Sequence, residues 1–197
     1  VYDNGLTQKT KIKIETLAGV KFLDMKVESG KVALVKVDMG EPILEPAKIP
    51  VNSNGELFIS QPVSINDKEF KVTCVSMGNP HAVTYVDDVD NFPLEIIGPK
   101  MENNSLFPKR INAEFVQVID KDILKMRVWE RGAGETLACG TGASAAVVAS
   151  HLNDKTARKA TVKLRGGDLN IEWNDKNGLV YMTGPAVEIY RGVWPLN

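Results

Sequence analysis

One segment of the chain has small or apolar residues on nearly every side, and it constrains the fold more than any other feature. Residues Gly142–Leu152 read GASAAVVASHL, a composition that predicts an α-helix. A helix with almost no polar face must be buried by the elements around it. The rest of the chain is therefore expected to form a layer that surrounds this helix.

Short alternating segments bounded by turn residues predict that this layer is a β-sheet. Ser29-Gly30 and Asn174–Gly178 are predicted hairpin turns, and Asp87–Pro93 is a predicted loop that starts a short helix. The predicted strands are Lys11–Thr16, Val20–Glu28, Lys31–Val37, Leu57–Ile59, Lys71–Ser76, Ala82–Val86, Glu114–Ile119, Ile123–Glu130, Ala160–Leu164, Asp168–Trp173, Leu179–Thr183 and Ala186–Tyr190. The predicted class is α+β, with a β-barrel-like sheet wrapped around a central helix.

Composition excludes several classes of protein. A net charge of −1 over 197 residues gives no electrostatic attraction to nucleic acid or to an anionic membrane. The longest apolar run is too short to cross a bilayer. Two cysteines and two histidines are too few for a disulfide framework or a metal cluster, so no metal site is predicted and a cytoplasmic location is favoured.

Cys139 lies between a charged, glycine-rich loop and the start of the predicted central helix. The segment from Trp129 to Gly142 reads WERGAGETLACGTG. Free N–H groups and the positive end of a helix favour a thiolate, so the position predicts a lowered pKa for Cys139 and an adjacent anion site. Gly140 and Gly142 would let the backbone approach a ligand closely. The alternative is a small apolar cysteine packed at a helix start.

Three segments together resemble the diaminopimelate epimerase family. WERGAGETLACGTGASA resembles the segment of the family's second catalytic cysteine, MGNPHAV at 77–83 its GNPHAV motif, and RINAEFV at 110–116 its R-x-N-x-E-F motif. The resemblance implies two pseudo-symmetric domains in the intact protein, each an antiparallel, barrel-like sheet around its own helix. Residues 40–184 would form the C-terminal domain, and residues 1–39 with 185–197 would be a remnant of the N-terminal domain.

The resemblance also implies a cofactor-independent reaction, in which two thiols on opposite faces of the substrate interconvert LL- and meso-2,6-diaminopimelate for lysine and peptidoglycan biosynthesis. Cys139 would be one acid/base, and His81 and Glu130 would lie close enough to influence the thiols. A structural role for His81, as a hydrogen-bonded imidazole, is an equal alternative.

Substrate binding is implied for a set of polar and glycine residues in the same three segments. Arg131 would pair with the distal carboxylate, and two asparagines would bind the distal amino-acid centre. Backbone N–H groups at the helix start would hold the reacting carboxylate. The implied binding residues are Asn79, Asn112, Glu130, Arg131, Gly140 and Thr141.

The family's first cysteine motif, CGNG, does not occur in this sequence. We therefore expect a chain that lacks its N-terminal portion and is inactive alone, with Cys74 packed in an apolar strand rather than replacing the missing thiol. Two alternatives stay open: a racemase of the same superfamily with another amino-acid substrate, and a non-catalytic ligand-binding fragment. The expected partner is the small-molecule substrate, with no nucleic acid and no membrane, and a homodimer of the intact enzyme is left open.

Overall fold

The computed structural model describes residues 1–16 and 19–195, and it divides the chain into two compact units. The first unit contains residues 1–37 and 183–197, and the second contains residues 38–182. The predicted domains place their boundaries at 39/40 and 184/185, and their assignment to two pseudo-symmetric halves stays a prediction. Residues 17–18 and 196–197, which fall in the predicted N-terminal remnant, lie outside the described residues.

The first unit is built on an antiparallel meander of three strands, β1 (Lys11–Thr16), β2 (Gly19–Glu28) and β3 (Lys31–Gly40). Ser29 and Gly30 turn the chain with φ of 50° and 78°, as the predicted hairpin requires.

The predicted strand Ala186–Tyr190 is wrong, because the described residues after 184 form no strand. Its apolar side chains are exposed, and Glu188 instead accepts hydrogen bonds from Asn4 and Arg191. An alternating pattern becomes a strand only where a neighbouring strand supplies hydrogen bonds.

The second unit is a long curved sheet that carries two α-helices. Its strands are β4 (Gln61–Ile65), β5 (Lys68–Ser76), β6 (Pro80–Tyr85), β7 (Asn112–Asp120), β8 (Ile123–Glu130), β9 (Gly134–Thr136), β10 (Lys159–Leu164), β11 (Gly167–Trp173) and β12 (Val180–Gly184). The order across the sheet is β12-β11-β10-β8-β7-β6-β5-β4, with β9 paired to β8. The pairs β6/β7 and β8/β10 are parallel, whereas β4/β5, β5/β6, β7/β8, β8/β9 and β10/β11 are antiparallel.

The predicted central helix is α2 (Gly140–Leu152), and it packs against β5, β6, β7, β8, β10 and β11. Its residues from 142 to 150 are all buried, and they are alanine, valine, serine and glycine. Small side chains let the sheet approach the helix from several sides, which explains how one helix can be enclosed by one curved sheet. The α+β class with a sheet wrapped around a central helix is therefore confirmed.

The predicted strand Leu57–Ile59 is also wrong, and the structure has the hairpin β4/β5 close by. Asn66 and Asp67 make its turn with φ of 49° and 61°, values that asparagine and aspartate tolerate better than most residues. The carbonyl of Phe58 still accepts a hydrogen bond of 2.9 Å from the N–H of Cys74, but no ladder continues from it.

A second helix, α1 (Leu94–Glu102), follows the predicted loop at 87–93, and a 3-10 turn occupies Pro46–Lys48. The helix α1 packs on β4, β7, β8 and β9 and closes a second apolar core. None of the helices among the described residues is long and apolar enough to cross a membrane.

Candidate active site around Cys139

Cys139 is the N-cap residue of α2, with extended backbone angles of φ −135° and ψ 107°. Its Sγ accepts a hydrogen bond of 3.3 Å from the N–H of Gly142, and it lies 3.5 Å from Oγ1 of Thr141. The thiol thus takes the place of the serine or aspartate oxygen that usually caps a helix. Only 7% of the residue is exposed, so a small part of it can be reached from solvent.

The pKa of Cys139 differs from the sequence-based expectation. Burial and the nearby charge of Glu114 raise the pKa of this thiol to about 11, while the hydrogen bonds from Thr141 and Gly142 act in the opposite direction. The prediction of a lowered pKa is therefore wrong, because desolvation and a buried carboxylate outweigh the local effect of the helix start. Cys139 is predominantly a neutral thiol at neutral pH.

Two glycines at the start of α2 allow close packing within the protein. A Cβ on Gly140 would lie 2.8 Å from Sδ of Met182, and a Cβ on Gly142 would lie 2.8 Å from Oε1 of Glu114 and 3.2 Å from Sγ of Cys139. The sequence-based argument assigned both glycines to close approach by a ligand. In the structure Gly142 instead leaves space for a carboxyl group beside the thiol.

His81 and Glu114 form a completely buried pair on adjacent parallel strands. His81 Nδ1 lies 2.7 Å from Glu114 Oε1, and neither side chain is exposed. Burial raises the pKa of Glu114 above its usual value, although His81 opposes this effect. On the other side of the ring, His81 Nε2 lies 3.0 Å from Oδ1 of Asn79, whose Nδ2 donates to Thr141 Oγ1 at 3.3 Å.

Asn112 ties the three motif segments together through backbone groups. Its Nδ2 donates to the carbonyl of Pro80 at 2.8 Å, and its Oδ1 accepts from the N–H of Arg131 at 2.9 Å. The guanidinium of Arg131 donates to the carbonyl of Lys109 at 3.0 Å. The amide of Asn112 thus positions the Arg131 loop in this structure, and its contact with a substrate stays a prediction.

Glu130, at the end of β8, accepts a hydrogen bond from the hydroxyl of Thr136 on β9. Its charge adds to that of Glu114 in raising the pKa of Cys139, although its contribution is the smallest. The structure thus places Glu130 close enough to influence the thiol, and its catalytic and binding roles stay predictions.

Sequence reasoning missed two buried carboxylates, Glu114 and Glu102. Glu114 is within the RINAEFV segment, where a charged residue between apolar strand residues was the available signal. Glu102 ends α1 and accepts from Arg110 Nη1, Gly132 N–H and Trp129 Nε1 at 2.8–2.9 Å. These bonds anchor the loop that carries Arg131. They join residues that lie far apart in the sequence, so no local sequence pattern predicts them.

Cys74 lies apart from this site. It is 1% exposed on β5 and belongs to the apolar core around α1, whereas Cys139 belongs to the core around α2. Burial raises the pKa of Cys74 well above its usual value. The prediction that Cys74 is a core residue is confirmed.

Comparison with known proteins identifies the family. The model of the family described as diaminopimelate epimerase matches residues 73–189. A diaminopimelate epimerase of Acetivibrio thermocellus is 68% identical over 197 residues, which are all of this chain and 70% of that protein. One from Methanococcus maripaludis is 58% identical over 192 residues, covering 98% of this chain and 69% of that protein.

Solved structures of low sequence identity show the same fold. A probable proline racemase from Agrobacterium radiobacter matches with a TM-score of 0.70 at 12% identity, covering 93% of this chain and 61% of that one. A hydroxyproline epimerase from Agrobacterium vitis matches with a TM-score of 0.64 at 11% identity, and the match covers 93% of this chain and 60% of that one. The chain thus spans less than two thirds of the length of these two proteins.

The motifs that surround Cys139 and these comparisons agree. The family model covers the strands and the helix that build the site, and the identity to the relatives extends over nearly the whole chain. The resemblance in the sequence is confirmed, and with it the enzyme class, an epimerase. The chain belongs to the diaminopimelate epimerase family.

Proposed function

We propose that Cys139 transfers the α-proton of diaminopimelate in the interconversion of its LL and meso forms, as a step of lysine and peptidoglycan precursor biosynthesis. The observation that carries the proposal is the convergence of the three motif segments on the Cys139 thiol at the start of a buried helix. Hydrogen bonds connect the thiol to Thr141, Thr141 to Asn79, and Asn79 to His81. The relatives named diaminopimelate epimerase support the choice of substrate.

The start of α2 is suited to hold the reacting carboxylate. N–H groups in the first turn of a helix lack acceptors within the helix, and those of Gly140 and Thr141 stand next to the thiol. A carboxylate bound there would bring its α-carbon close to Sγ. The positive end of the helix would also offset the negative charge that develops when the α-proton leaves. The proposal requires no cofactor, because the thiolate itself is the base.

The far end of the substrate is a second zwitterion, and the proposed site offers groups of both charges. Arg131 would bind the distal carboxylate, Glu130 the distal ammonium group, and Asn79 and Asn112 would hydrogen bond to either. A substrate with one amino-acid centre would bring no second carboxylate for Arg131 and no second ammonium group for Glu130. That argument, with the identity to the relatives, favours diaminopimelate over the substrate of another racemase.

Inversion at carbon needs an acid on one face and a base on the other. The sequence contains two cysteines, and Cys74 is buried in the other apolar core. We therefore expect the 197-residue polypeptide by itself to exchange the α-hydrogen on one face without inverting the centre. If it binds diaminopimelate without exchange, it is a ligand-binding fragment.

The test is incubation of the 197-residue chain with LL-diaminopimelate in D2O. Mass spectrometry follows α-deuterium, and chiral chromatography follows the meso form. The expected result is deuterium in the LL form, absent with Cys139→Ala and retained with Cys74→Ala. Efficient formation of the meso form by this chain would refute the assignment of one thiol to one face. Exchange that survives in Cys139→Ala would refute the role of Cys139.

A cytoplasmic location and a homodimer belong to the same proposal. The two free cysteines, which suit a reducing compartment, support the location. Size-exclusion chromatography with light scattering tests the homodimer directly.

A further inference from the structure

Thr136 and Glu130 lie side by side on the hairpin formed by β8 and β9. The register sets Val128 opposite Thr136 and Glu130 opposite Gly134, so Glu130 and Thr136 are diagonal neighbours on one face of the hairpin. The hydroxyl of Thr136 donates to Oε1 of Glu130 at 2.5 Å, within the range for a hydroxyl that donates to a carboxylate. One oxygen of Glu130 is thus held by a side chain of the next strand.

Glu130 has no other partner for its side chain in the described part of the chain. Oε2 accepts no hydrogen bond there, and no cation pairs with the carboxylate. The residue is half-buried, and its charge acts on two other acidic groups, since it raises the pKa of Glu114 and of Cys139. A partly buried carboxylate beside other acidic groups is costly to keep without a cation. The site therefore favours a ligand that brings a positive charge to Oε2.

We propose that Thr136 is a positioning residue that holds Oε1 of Glu130, so that Oε2 receives the ammonium group of the distal amino-acid centre. The inference rests on the proposed function, which assigns Glu130 to that ammonium group, and it names what fixes the carboxylate. Thr136 then determines substrate specificity through Glu130 without touching the substrate.

The strand that carries Thr136 is fixed from its opposite face. The next residue in the chain, Glu135, points to that face, because successive side chains of a strand alternate. Its carboxylate accepts from Nε and Nη2 of Arg127 at 2.7 and 2.9 Å and pairs with Arg165 at 2.9 Å. Arg127 is buried and also donates to three carbonyls of the loop at 87–93. The short strand β9 is therefore anchored, and the Thr136 hydroxyl starts from a fixed place.

The hydrogen bond determines where the carboxylate stands before a ligand arrives. A glutamate side chain has several rotatable bonds, and ordering it on binding costs free energy. Thr136 is β-branched and stiff about χ1, so its hydroxyl holds the carboxylate on a rigid support. The ammonium group then meets a carboxylate whose orientation is already set. Loss of the hydroxyl should therefore weaken only those ligands that carry the distal ammonium group.

The experiment compares two ligands of the 197-residue chain by isothermal titration calorimetry. They are LL-diaminopimelate and L-2-aminopimelate, which has the same carbon chain and both carboxylates but lacks the distal amino group. The ratio of their Kd values isolates the contribution of the distal ammonium group. The parent chain should bind diaminopimelate about tenfold or more tightly than aminopimelate. Thr136→Val should reduce that ratio to less than about a third of its size.

Two further variants separate positioning from a general structural effect. Thr136→Ser keeps the hydroxyl and should restore most of the ratio, which a purely structural role of the methyl group would not do. Glu130→Gln should lower the ratio by itself. Adding Thr136→Val to it should cause no further loss, because Thr136 acts through Glu130.

Thr161→Val is the matched control. Thr161 is also half-buried on a strand, and its hydroxyl donates to Oδ1 of Asn170 on the neighbouring β11 at 3.0 Å. The control should keep the full ratio of the two Kd values. Circular dichroism melting verifies that every variant is folded.

A ratio that survives in Thr136→Val, or a loss of affinity that is equal for both ligands, would overturn the inference. A parent chain that does not prefer diaminopimelate would overturn it as well. Binding is measured without proton transfer, so a chain that shows these ratios but exchanges no α-hydrogen in D2O would refute the proposed function and keep the role of Thr136. Exchange that depends on Cys139, in a chain whose ratio is unaffected by Thr136→Val, would do the reverse.

Discussion

Glu114 and His81 make a contact of 2.7 Å between two side chains that solvent does not reach. The register of the parallel pair β6/β7 sets Val83 opposite Glu114 and His81 opposite Asn112, so the two side chains lie on the same face of the sheet two residues apart. That face is covered by α2, which brings the carboxyl group to the Cys139 thiol. The charge of Glu114 therefore adds to burial in raising the pKa of the Cys139 thiol.

Cys139 should react with iodoacetamide faster than Cys74 at every pH between 7 and 10. Cys139 is 7% exposed and Cys74 is 1% exposed, and the thiolate is the reacting species. Because the pKa of Cys139 is raised to about 11, its rate should be low at neutral pH and rise about tenfold per pH unit. Peptide mass spectrometry measures both sites in one sample. Preferential labelling of Cys74 in folded protein would contradict the prediction.

Stability should fall at alkaline pH because of Cys139. The pKa of this thiol is about 11 in the folded chain against the ordinary value of 9.0. Its contribution is fully present below pH 9 and is lost as pH rises to 11, since the unfolded chain releases the proton first. The loss amounts to roughly 2–3 kcal/mol. Urea denaturation at pH 8 and pH 11 should show a loss that is larger in the parent chain than in Cys139→Ala by this amount, because the buried Cys74, whose pKa is also raised, contributes a loss to both proteins. An equal loss in both proteins would contradict the assignment.

Arg131→Ala should lower kcat/KM for diaminopimelate by a factor equivalent to on the order of 2–5 kcal/mol, because the distal carboxylate loses its charged partner. The measurement is kcat/KM for deuterium incorporation at the α-carbon. Arg158→Ala is the control, since Arg158 lies over the Trp173 ring away from Cys139. A change below about tenfold in Arg131→Ala would mean that another group binds the distal carboxylate.

Glu102→Gln should destabilise the chain by about 1–3 kcal/mol, because an amide cannot accept all three hydrogen bonds that the carboxylate accepts. It should also raise KM, since those bonds hold Trp129 near the end of β8 and Gly132 on the following loop, which carries Arg131. Glu69→Gln, at an exposed pair with Lys71, should change stability by less than about 0.5 kcal/mol. Equal effects of the two variants on urea denaturation would contradict the anchoring role.

Local patterns were sufficient for most of the secondary structure. The buried helix α2 followed from its composition, and the Ser29-Gly30 turn followed from residues that tolerate a positive φ. The failures were segments whose structure depends on partners distant in sequence. Residues 186–190 alternate like a strand but pair with no neighbouring strand. Residues 57–59 form no strand either, and the hairpin that turns at Asn66 and Asp67 lies after them in the chain.

The candidate site also divides into features that the local sequence predicts and features that depend on tertiary contacts. Three motif segments were enough to identify the family and to single out Cys139, because residue type and order along the chain carry that information. The pKa of Cys139 was predicted in the wrong direction, since a helix start is visible in sequence whereas burial and a carboxyl group 25 residues away in the chain are not. Only the parallel pairing of β6 with β7 under α2 places Glu114 beside both His81 and the thiol. Charges act through space in a low dielectric, so the tertiary structure decided the chemistry of a residue that the sequence alone had already identified.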